Sequence, residues 1–325
     1  MSMKLPEGLE LDKYIELTSM MEAQQVKSAG HWREDVIERS KGEKIWGAKL
    51  PWPKTYDTFR LREGELTIVA GANGAKKSIL VGQLCLKLAK HSKVCIASLE
   101  MKPAETLWRM CLQSAGAKDG EPTEDFINQF ADFVDKNIVI YDQLDTVESA
   151  RILAVVHYCA KELGVKFMVI DSLTKCGIKF DDRNGETDFI NRLQHACKTL
   201  GIHVMLIAHL RKPQQAGDDY IGDKHDIRGA STISDLADNV LVIAANEKRQ
   251  KLKELSKMVE LDEKQQEYLE KSYDQYIVVA KQRHGSWQGR YNFYFHSNSL
   301  QVTEQEDRPV HFYFDDNVDR DKFMF

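Results

Sequence analysis

Six short apolar runs alternate with helical patterns between residues 65 and 245, and this alternation limits the possible folds more than any other feature of the chain. The runs are LTIVAG, VCIASLE, NIVIYD, KFMVIDS, IHVMLIAH and NVLVIAA. The helical patterns start at Lys77 and near Ala104, and cover about residues 147–163 and 186–200. Strands that are apolar on both faces and are separated by helices are typical of parallel sheets. The sequence therefore predicts an α/β fold with a mostly parallel sheet covered by helices on both faces.

Residues outside this alternation predict an extension and three further segments. The runs YIVVAKQRHG and RYNFYFH indicate an antiparallel C-terminal extension of the sheet. Residues 247–273 are highly charged with a helical period, which favours a solvated helical insertion. We expect a polar lead-in over residues 1–60, the main domain over 61–303 and an acidic aromatic tail over 304–325.

Composition excludes several classes of protein. Lys and Arg number 45 against 50 Asp and Glu, so the net charge of −5 excludes a uniformly basic protein but leaves room for a local basic channel. No apolar run is long enough to span a membrane, and the N-terminus lacks the apolar core of a signal peptide. The six cysteines are scattered through apolar segments without a CxxC motif, which favours reduced core residues over a metal site or disulfides.

The segment Gly71-Ala-Asn-Gly-Ala-Lys-Lys-Ser78 has the features of a phosphate-binding loop. It lies between a predicted strand and a predicted helix, where backbone N–H groups and the helix N-terminus form an anion cradle. The motif makes Lys77 the phosphate-binding lysine and Ser78 a ligand of Mg²⁺. The predicted nucleotide-binding residues are Gly71, Ala72, Asn73, Gly74, Ala75, Lys76, Lys77, Ser78 and Ile79. The alternative is a glycine-rich turn before an ordinary helix.

Lys76 occupies the position where this motif has glycine. Glycine suits that position because the backbone passes close to the phosphates in a conformation that disfavours side chains. A lysine there either strains the loop and obstructs the nucleotide, or adds a second positive charge beside it.

Three further strand ends carry polar side chains suited to ATP hydrolysis. Glu100 ends the second run and is placed to polarise an attacking water, although a solvated residue or helix cap is the alternative. Asp171 follows the apolar FMVI, as a carboxylate that holds Mg²⁺ does. His209 ends the fifth run, where it either senses the terminal phosphate or has only a structural role.

Lys281 and Arg283 form a candidate pair of catalytic cations in AKQRHG. Residues two apart on a strand share a face, so both side chains are predicted to reach the nucleotide of a neighbouring subunit. The alternative is a solvated basic strand end.

Together these segments resemble the RecA-like ATPase domain of hexameric replicative DNA helicases, the superfamily of DnaB, Twinkle and the phage primase-helicases. The resemblance covers about residues 45–300 and rests on the order of GELTIVAGANGAKKS, SLEM, VIDSL, AHLRKP, DIRGASTISDLADNVLVI and KQRHGSWQGR. AHLRKP, with its histidine, is more similar to the Twinkle and phage branch than to bacterial DnaB. The resemblance implies ATP and Mg²⁺ as cofactors, with Glu100 as catalytic base, Asp171 as the Walker B carboxylate and His209 as sensor. It also implies that Lys281 and Arg283 act across subunits of a homo-oligomer, a hexameric ring.

Two predicted loops, residues 176–187 and 211–230, leave the same edge of the sheet and are candidates for DNA binding. The candidate nucleic-acid residues in the second loop are Arg211, Lys212, Lys224, Arg228 and Gly229, although three aspartates in it offset their charge. The resemblance implies that DIRGAS lines the central channel and holds single-stranded DNA by its backbone.

The sequence thus predicts an ATP-dependent replicative DNA helicase motor in the cytoplasm of a bacterium or a phage-infected cell, with the 5′→3′ polarity implied by the resemblance alone. One alternative is a ring that binds single-stranded DNA or partners without turnover because of Lys76. Another is a RadA- or KaiC-like ATPase, against which KQRHG together with DIRGAS argues. Residues 31–45 are either a linker helix that contacts the next subunit or a surface helix. We expect no priming activity within this chain, no membrane partner, and docking of replication partners on the tail.

Overall fold

The computed structural model describes residues 28–41, 46–116, 121–179, 181–211, 220–229 and 232–309. Lys212, most of the predicted tail and most of the predicted lead-in lie outside these ranges. Within the described ranges, nine strands form one sheet in the order β3-β2-β4-β5-β1-β6-β7-β8-β9. The strands are β1 Leu66–Gly71, β2 Lys93–Ser98, β3 Ile138–Ile140, β4 Val165–Asp171, β5 His203–His209, β6 Asn239–Ala245, β7 Gln275–Gln282, β8 Gly289–His296 and β9 Gln301–Thr303.

The sheet is parallel from β3 to β6 and antiparallel from β6 to β9. Helices α1 to α9 are Arg33–Lys41, Lys77–Ala89, Pro103–Ala115, Glu124–Asn137, Ser149–Lys161, Arg183–Leu200, Thr232–Leu236, Glu247–Leu255 and Glu263–Lys271. This architecture confirms the predicted fold class. None of the described helices is both long and apolar enough to cross a membrane.

Two hydrophobic layers cover the two faces of the sheet. Successive residues of β1 alternate between them, with Ile68 in one layer and Val69 in the other. One layer contains the apolar faces of α2, α3 and α4, and the other contains those of α5 and α6. All six cysteines are buried and unpaired.

Helix α4 and strand β9 are elements that the sequence interpretation missed. The start of α4 carries a local signal, because the Thr123 hydroxyl accepts a hydrogen bond from the Phe126 backbone at 3.3 Å. Phe126, Phe130 and Val134 then recur every four residues and are buried. Strand β9 has only three residues and pairs with the end of β8, so its periodicity is too short to read.

Part of the predicted lead-in packs into the main domain. The Trp52 indole is 3% exposed, and its ring centroid lies 4.8 Å from that of Phe293. Its Nε1 donates a hydrogen bond to the Val302 carbonyl at 2.7 Å. Leu50 and Phe59 are buried in the same layer. The hydrophobic core of the main domain therefore includes residues before residue 60.

The charged segment 247–273 contains α8 and α9 and is attached to the sheet through a buried cation. The Arg249 side chain is 2% exposed, and its Nε lies 3.0 Å from Oδ1 of Asp274. Its Nη2 lies 2.5 Å from Glu306, while Lys253 reaches the second Asp274 oxygen at 3.2 Å. Because the Asp274 carboxylate is itself 4% exposed, its charge depends on these partners.

We predict that Arg249→Ala destabilises the folded protein by about 3 kcal/mol, because it leaves the Asp274 carboxylate buried with Lys253 as its remaining cation. Urea unfolding followed by circular dichroism would measure the change. Lys257→Ala on the exposed end of the same segment is the control and should change stability by less than about 0.5 kcal/mol. Equal stability of the two variants would contradict the assigned role of Arg249.

Candidate active site

The predicted phosphate-binding residues meet Glu100, Asp171 and His209 at the carboxyl ends of four adjacent parallel strands. Gly71 at the end of β1 pairs with His209 at the end of β5. Asp171 at the end of β4 pairs with Ser98 of β2, two residues before Glu100. Since ligands in open α/β sheets bind beyond the carboxyl ends of the strands, the topology itself brings these side chains to one place.

The predicted phosphate loop connects β1 to α2, which begins at Lys77. Gly71 is required by close packing, because a Cβ on it would lie 2.6 Å from the Ile243 carbonyl oxygen. The Lys77 ammonium donates to the carbonyls of Gly71 at 2.9 Å and Ala72 at 3.0 Å. Burial lowers the pKa of Lys77, and the charges of Asp171 and Glu100 oppose that shift.

Lys76 has a left-handed backbone with φ of 60° and ψ of 31°. This conformation costs an L-residue with a side chain about 1 kcal/mol or more, which accounts for glycine at this position of the motif. The Lys76 ammonium lies 4.5 Å from the centroid of the Phe295 ring. Burial lowers the pKa of Lys76, and the Asp274 charge opposes the shift.

Ser78 and Asp171 form the predicted Mg²⁺ site. The Ser78 hydroxyl donates to Oδ2 of Asp171 at 2.5 Å, so the two oxygens already lie together. A hydroxyl and a carboxylate are ligands that fit Mg²⁺, which commonly takes one or two protein oxygens and completes its shell with phosphate and water. Burial raises the pKa of Asp171, Glu100 raises it further, and the Ser78 hydrogen bond opposes the shift. In the described ranges no group of three His, Cys, Asp or Glu side chains is suited to a metal ion.

Glu100 and His209 face each other across the site. The Ser172 hydroxyl donates to Oε1 of Glu100 at 2.7 Å, and Nε2 of His209 lies 4.0 Å from the same oxygen. Nδ1 of His209 lies 3.5 Å from the Lys77 ammonium. Burial lowers the pKa of His209, as does the charge of Lys77, so its imidazole is neutral at pH 7. Because an ammonium has no acceptor, a hydrogen bond between Lys77 and Nδ1 requires the neutral His209 tautomer with its proton on Nε2.

These side chains line one cavity of about 610 Å³. Its lining residues are Asn73, Gly74, Lys76, Lys77, Ser78, Ile79, Glu100, Arg109, Asp171, Thr174, His209 and Arg228. Sequence interpretation missed Arg109 and Thr174. Arg109 lies within α3 and carries no motif signal. Thr174 was findable, since it follows VIDS closely and its hydroxyl lies 2.7 Å from that of Ser172.

The candidate DNA-binding segment begins beside this cavity. Leu210 and Ile227 form an isolated antiparallel bridge, and the Arg228 N–H donates to the His209 carbonyl at 2.7 Å. Arg228 lines the cavity, and Arg211 donates to the Gly229 carbonyl at 3.3 Å. Lys224 begins a short turn over Lys224–Asp226.

Lys281 and Arg283 lie at the opposite edge of the sheet. Gln282, between them, pairs with Asn239 at the start of β6, whereas the phosphate-loop edge is at Ile243. Four residues of strand separate these positions by about 13 Å at ~3.3 Å per residue. Neither cation lines the cavity of its own chain. Arg283 follows the last residue of β7, so the two cations do not sit two apart on one regular strand.

Residues 57–304 match the sequence profile of the family described as "DnaB-like helicase C terminal domain". The chain belongs to this family. It therefore has a replicative helicase-like domain of a nucleotide-binding ATPase family, as the resemblance implied.

Individual proteins show the same similarity to this DnaB-like domain. A "DNA helicase/primase" of Enterobacteria phage T3 is 25% identical over 211 residues, which cover 58% of this chain. The match spans only 37% of the length of that relative.

Two solved structures share the fold of the DnaB-like domain. One, described as an "ATPase Domain", has a TM-score of 0.68 at 17% identity, with 86% of this chain and 100% of that chain covered. A DnaB-like replicative helicase, described with its interactions with primase, has a TM-score of 0.65 at 17% identity, covering 91% of this chain and 74% of that chain.

We predict that Lys76→Gly is more stable than Lys76→Ala by about 1 kcal/mol, because only glycine adopts the left-handed backbone at this position without a steric cost. Both variants lose the ammonium, so their difference isolates the backbone contribution in a thermal unfolding experiment. An alanine variant as stable as the glycine variant would mean that the loop carries no such cost.

We predict that Asp171→Asn makes the unliganded protein more stable at neutral pH and weakens its binding of Mg²⁺-nucleotide. Burial raises the pKa of Asp171, so its charged form opposes folding. The stability advantage of the asparagine variant should therefore shrink as pH falls through the raised pKa towards the ordinary aspartate value.

Urea unfolding across this pH range would measure the advantage of Asp171→Asn. The exposed Asp142→Asn is the control and should show no comparable advantage. An asparagine variant that is less stable than the natural chain at neutral pH would refute the prediction.

Proposed function

We propose that this chain is the ATP-dependent motor of a replicative DNA helicase, which hydrolyses ATP between ring subunits and moves along single-stranded DNA, with 5′→3′ polarity by family resemblance. The observation that carries the proposal is the meeting of Lys77, Ser78, Asp171, Glu100 and His209 around one cavity. Each supplies a function that phosphoryl transfer to water requires. The family membership of residues 57–304 supports the same assignment.

The phosphate loop and α2 bind the nucleotide in this mechanism. The N-terminus of α2 attracts the phosphates, and Lys77 exchanges its bonds to Gly71 and Ala72 for bonds to phosphate oxygens. Ser78 and Asp171 would hold Mg²⁺, which when bound would neutralise charge on the phosphate oxygens.

Glu100 accepts a proton from the water that attacks the terminal phosphorus of ATP, while the bond to the bridging oxygen breaks and ADP leaves. The Ser172 hydroxyl orients its Oε1, and the neutral His209 lies 4.0 Å away on the other side. His209 also lies 3.5 Å from the Lys77 ammonium, so a phosphate that draws Lys77 away removes one of its neighbours. His209 is in this way placed to respond to the state of the terminal phosphate.

The backbone that follows His209 connects its response to the terminal phosphate with the candidate DNA-binding segment. The His209 carbonyl accepts the Arg228 N–H at 2.7 Å, so a shift of β5 at this end moves the 220–229 segment. Arg211, Lys224 and Gly229 supply side-chain and backbone contacts to phosphates of single-stranded DNA, together with Lys212. Binding of this kind depends little on sequence and weakens steeply with salt.

Lys281 and Arg283 act on the nucleotide of a neighbouring subunit. They lie at the edge of the sheet opposite their own phosphate loop, so a head-to-tail arrangement presents them to the next subunit. Exposed Trp32, Val36 and Ile37 at α1 offer an apolar contact for that neighbour.

ATP turnover with and without single-stranded DNA tests this assignment on the natural chain, Glu100→Gln and Arg283→Ala. We expect DNA-stimulated turnover by the natural chain and a loss of about 100-fold or more in each variant. Mixing the two variants should restore activity, because about a quarter of the interfaces in random rings then combine a natural Glu100 with a natural Arg283.

The matched control for Arg283 is Arg290→Ala, a cation of the adjacent strand that stacks over Tyr276. It should keep full turnover. Failure of the mixture to recover activity, when both variants form rings, would rule out action of Arg283 across subunits.

A ring that binds single-stranded DNA or partners without turnover is a second candidate, favoured by Lys76 alone. The Lys76 side chain lines the nucleotide cavity beside Lys77. DNA binding without turnover by the natural chain, together with turnover by Lys76→Gly, would establish this candidate in place of the first.

A further inference from the structure

The short segment 234–238, which leads from α7 into β6, holds both proposed trans-acting cations. The Lys281 ammonium donates to the carbonyls of Ser234 at 2.9 Å and Asp235 at 2.7 Å. The Arg283 N–H donates to the Asp238 carbonyl at 2.9 Å. Nε of Arg283 lies 3.0 Å from Oδ1 of Asp238. Asp238 therefore contacts Arg283 through both its backbone and its side chain.

The Asp238 carboxylate is itself held from several sides. It is 2% exposed, and its Oδ2 accepts the Leu66 N–H at 2.9 Å. The Asp238 N–H donates in return to the Leu66 carbonyl at 2.9 Å. Gln194 of α6 approaches Oδ1 at 3.4 Å. These contacts leave the carboxylate little freedom to rotate, so it is a rigid support for a flexible side chain.

We propose that Asp238 is the positioning residue for Arg283, an inference that rests on the proposed action of Arg283 across the subunit boundary. The carboxylate engages Nε, while the Arg283 side chain stays 42% exposed. Within the described part of the chain, Arg283 forms no other ion pair. Because Asp238 engages only Nε, the Nη1 and Nη2 groups of Arg283 remain available to bind a phosphate.

Positioning of this kind accelerates the reaction because it reduces the number of conformations that the Arg283 side chain samples. An arginine without such a partner samples many rotamers, and this conformational entropy is lost when the guanidinium binds the phosphate. A misplacement of ~1 Å in a catalytic group costs about 100-fold in rate. Asp238 restricts the Arg283 side chain before the nucleotide of the neighbouring subunit binds.

The same carboxylate also connects the two nucleotide sites that a subunit serves. Leu66 is the first residue of β1, and Gly71 at its other end begins the phosphate loop. Asp238 therefore ties the strand that carries the subunit's own phosphate loop to the arginine offered to its neighbour.

Asp238→Asn tests the proposal in the full chain. The amide oxygen still accepts the Leu66 N–H, but the amide nitrogen then faces Arg283 Nε, donor against donor. We expect DNA-stimulated kcat to fall about 100-fold with KM within about threefold of the natural value. In the Arg283→Ala background the substitution should have no further effect, because Asp238 acts only through Arg283.

A mixing experiment separates positioning from a merely structural role. Asp238→Asn subunits keep their own Glu100, and Glu100→Gln subunits keep a positioned Arg283, so their mixture should recover turnover as the mixture with Arg283→Ala does. Should Asp238→Asn fail to fold, Asp238→Glu keeps the charge and should give an intermediate kcat with the same recovery. The exposed Asp132→Asn is the control and should keep natural turnover.

The outcomes distinguish the two proposals. If Arg283→Ala recovers with Glu100→Gln but Asp238→Asn does not, the positioning role is overturned while the proposed function stands. Natural kcat in Asp238→Asn overturns the positioning role as well. If Arg283→Ala itself does not recover in the mixture, the action of Arg283 across subunits fails, and the role of Asp238 fails with it.

Discussion

The candidate site depends on the parallel pairing of β1 with its two neighbours, β5 and β6. The pairing places Gly71 beside His209 on one side and Ile243 on the other. Because all three strands run in the same direction, their carboxyl ends meet at one edge, where residues after β1 and His209 of β5 line one cavity. Close packing at Gly71 leaves no room for a side chain, so the phosphate loop passes over Ile243 at backbone contact. A shift of β1 by one residue in this register would turn each of its side chains to the opposite face of the sheet.

Buried charge is concentrated at the two opposite edges of the sheet. At the phosphate-loop edge, burial raises the pKa of Asp171 and lowers that of Lys77, so both charged forms are held at a cost to stability. At the far edge, burial raises the pKa of Glu65, whose Oε2 accepts a hydrogen bond from Asn239 at 2.8 Å. Hydrogen bonds from neighbouring backbone and amide groups offset part of the cost at each edge. Buried groups with shifted pKa values are typical of sites that act on ligands.

Lys76 shows how the loop accommodates a residue that its motif excludes. Its backbone keeps the left-handed conformation that glycine would adopt, and its ammonium rests over the Phe295 ring. The attraction between the cation and the ring offsets part of the backbone cost. The Asp274 charge, held by Arg249 and Lys253, opposes the effect of burial on this ammonium. The loop is therefore coupled electrostatically to the helical segment that contains α8 and α9.

The sequence alone determined the fold class, and it located the Gly71–Ser78 turn and the polar strand ends, because apolar alternation and a glycine-rich turn are local sequence patterns. The family was determined in the same way, by the order of six segments. The sequence did not determine α4 or β9, nor the packing of Trp52 in the core, because the local signals for these features are weak or short. Only the tertiary structure placed Arg109 in the cavity, because it reaches the cavity from α3, which carries no motif, whereas Thr174 closely follows the VIDS segment. It alone also set Arg283 against Asp238, 45 residues earlier in the chain, because that contact requires β7 to return antiparallel beside β6.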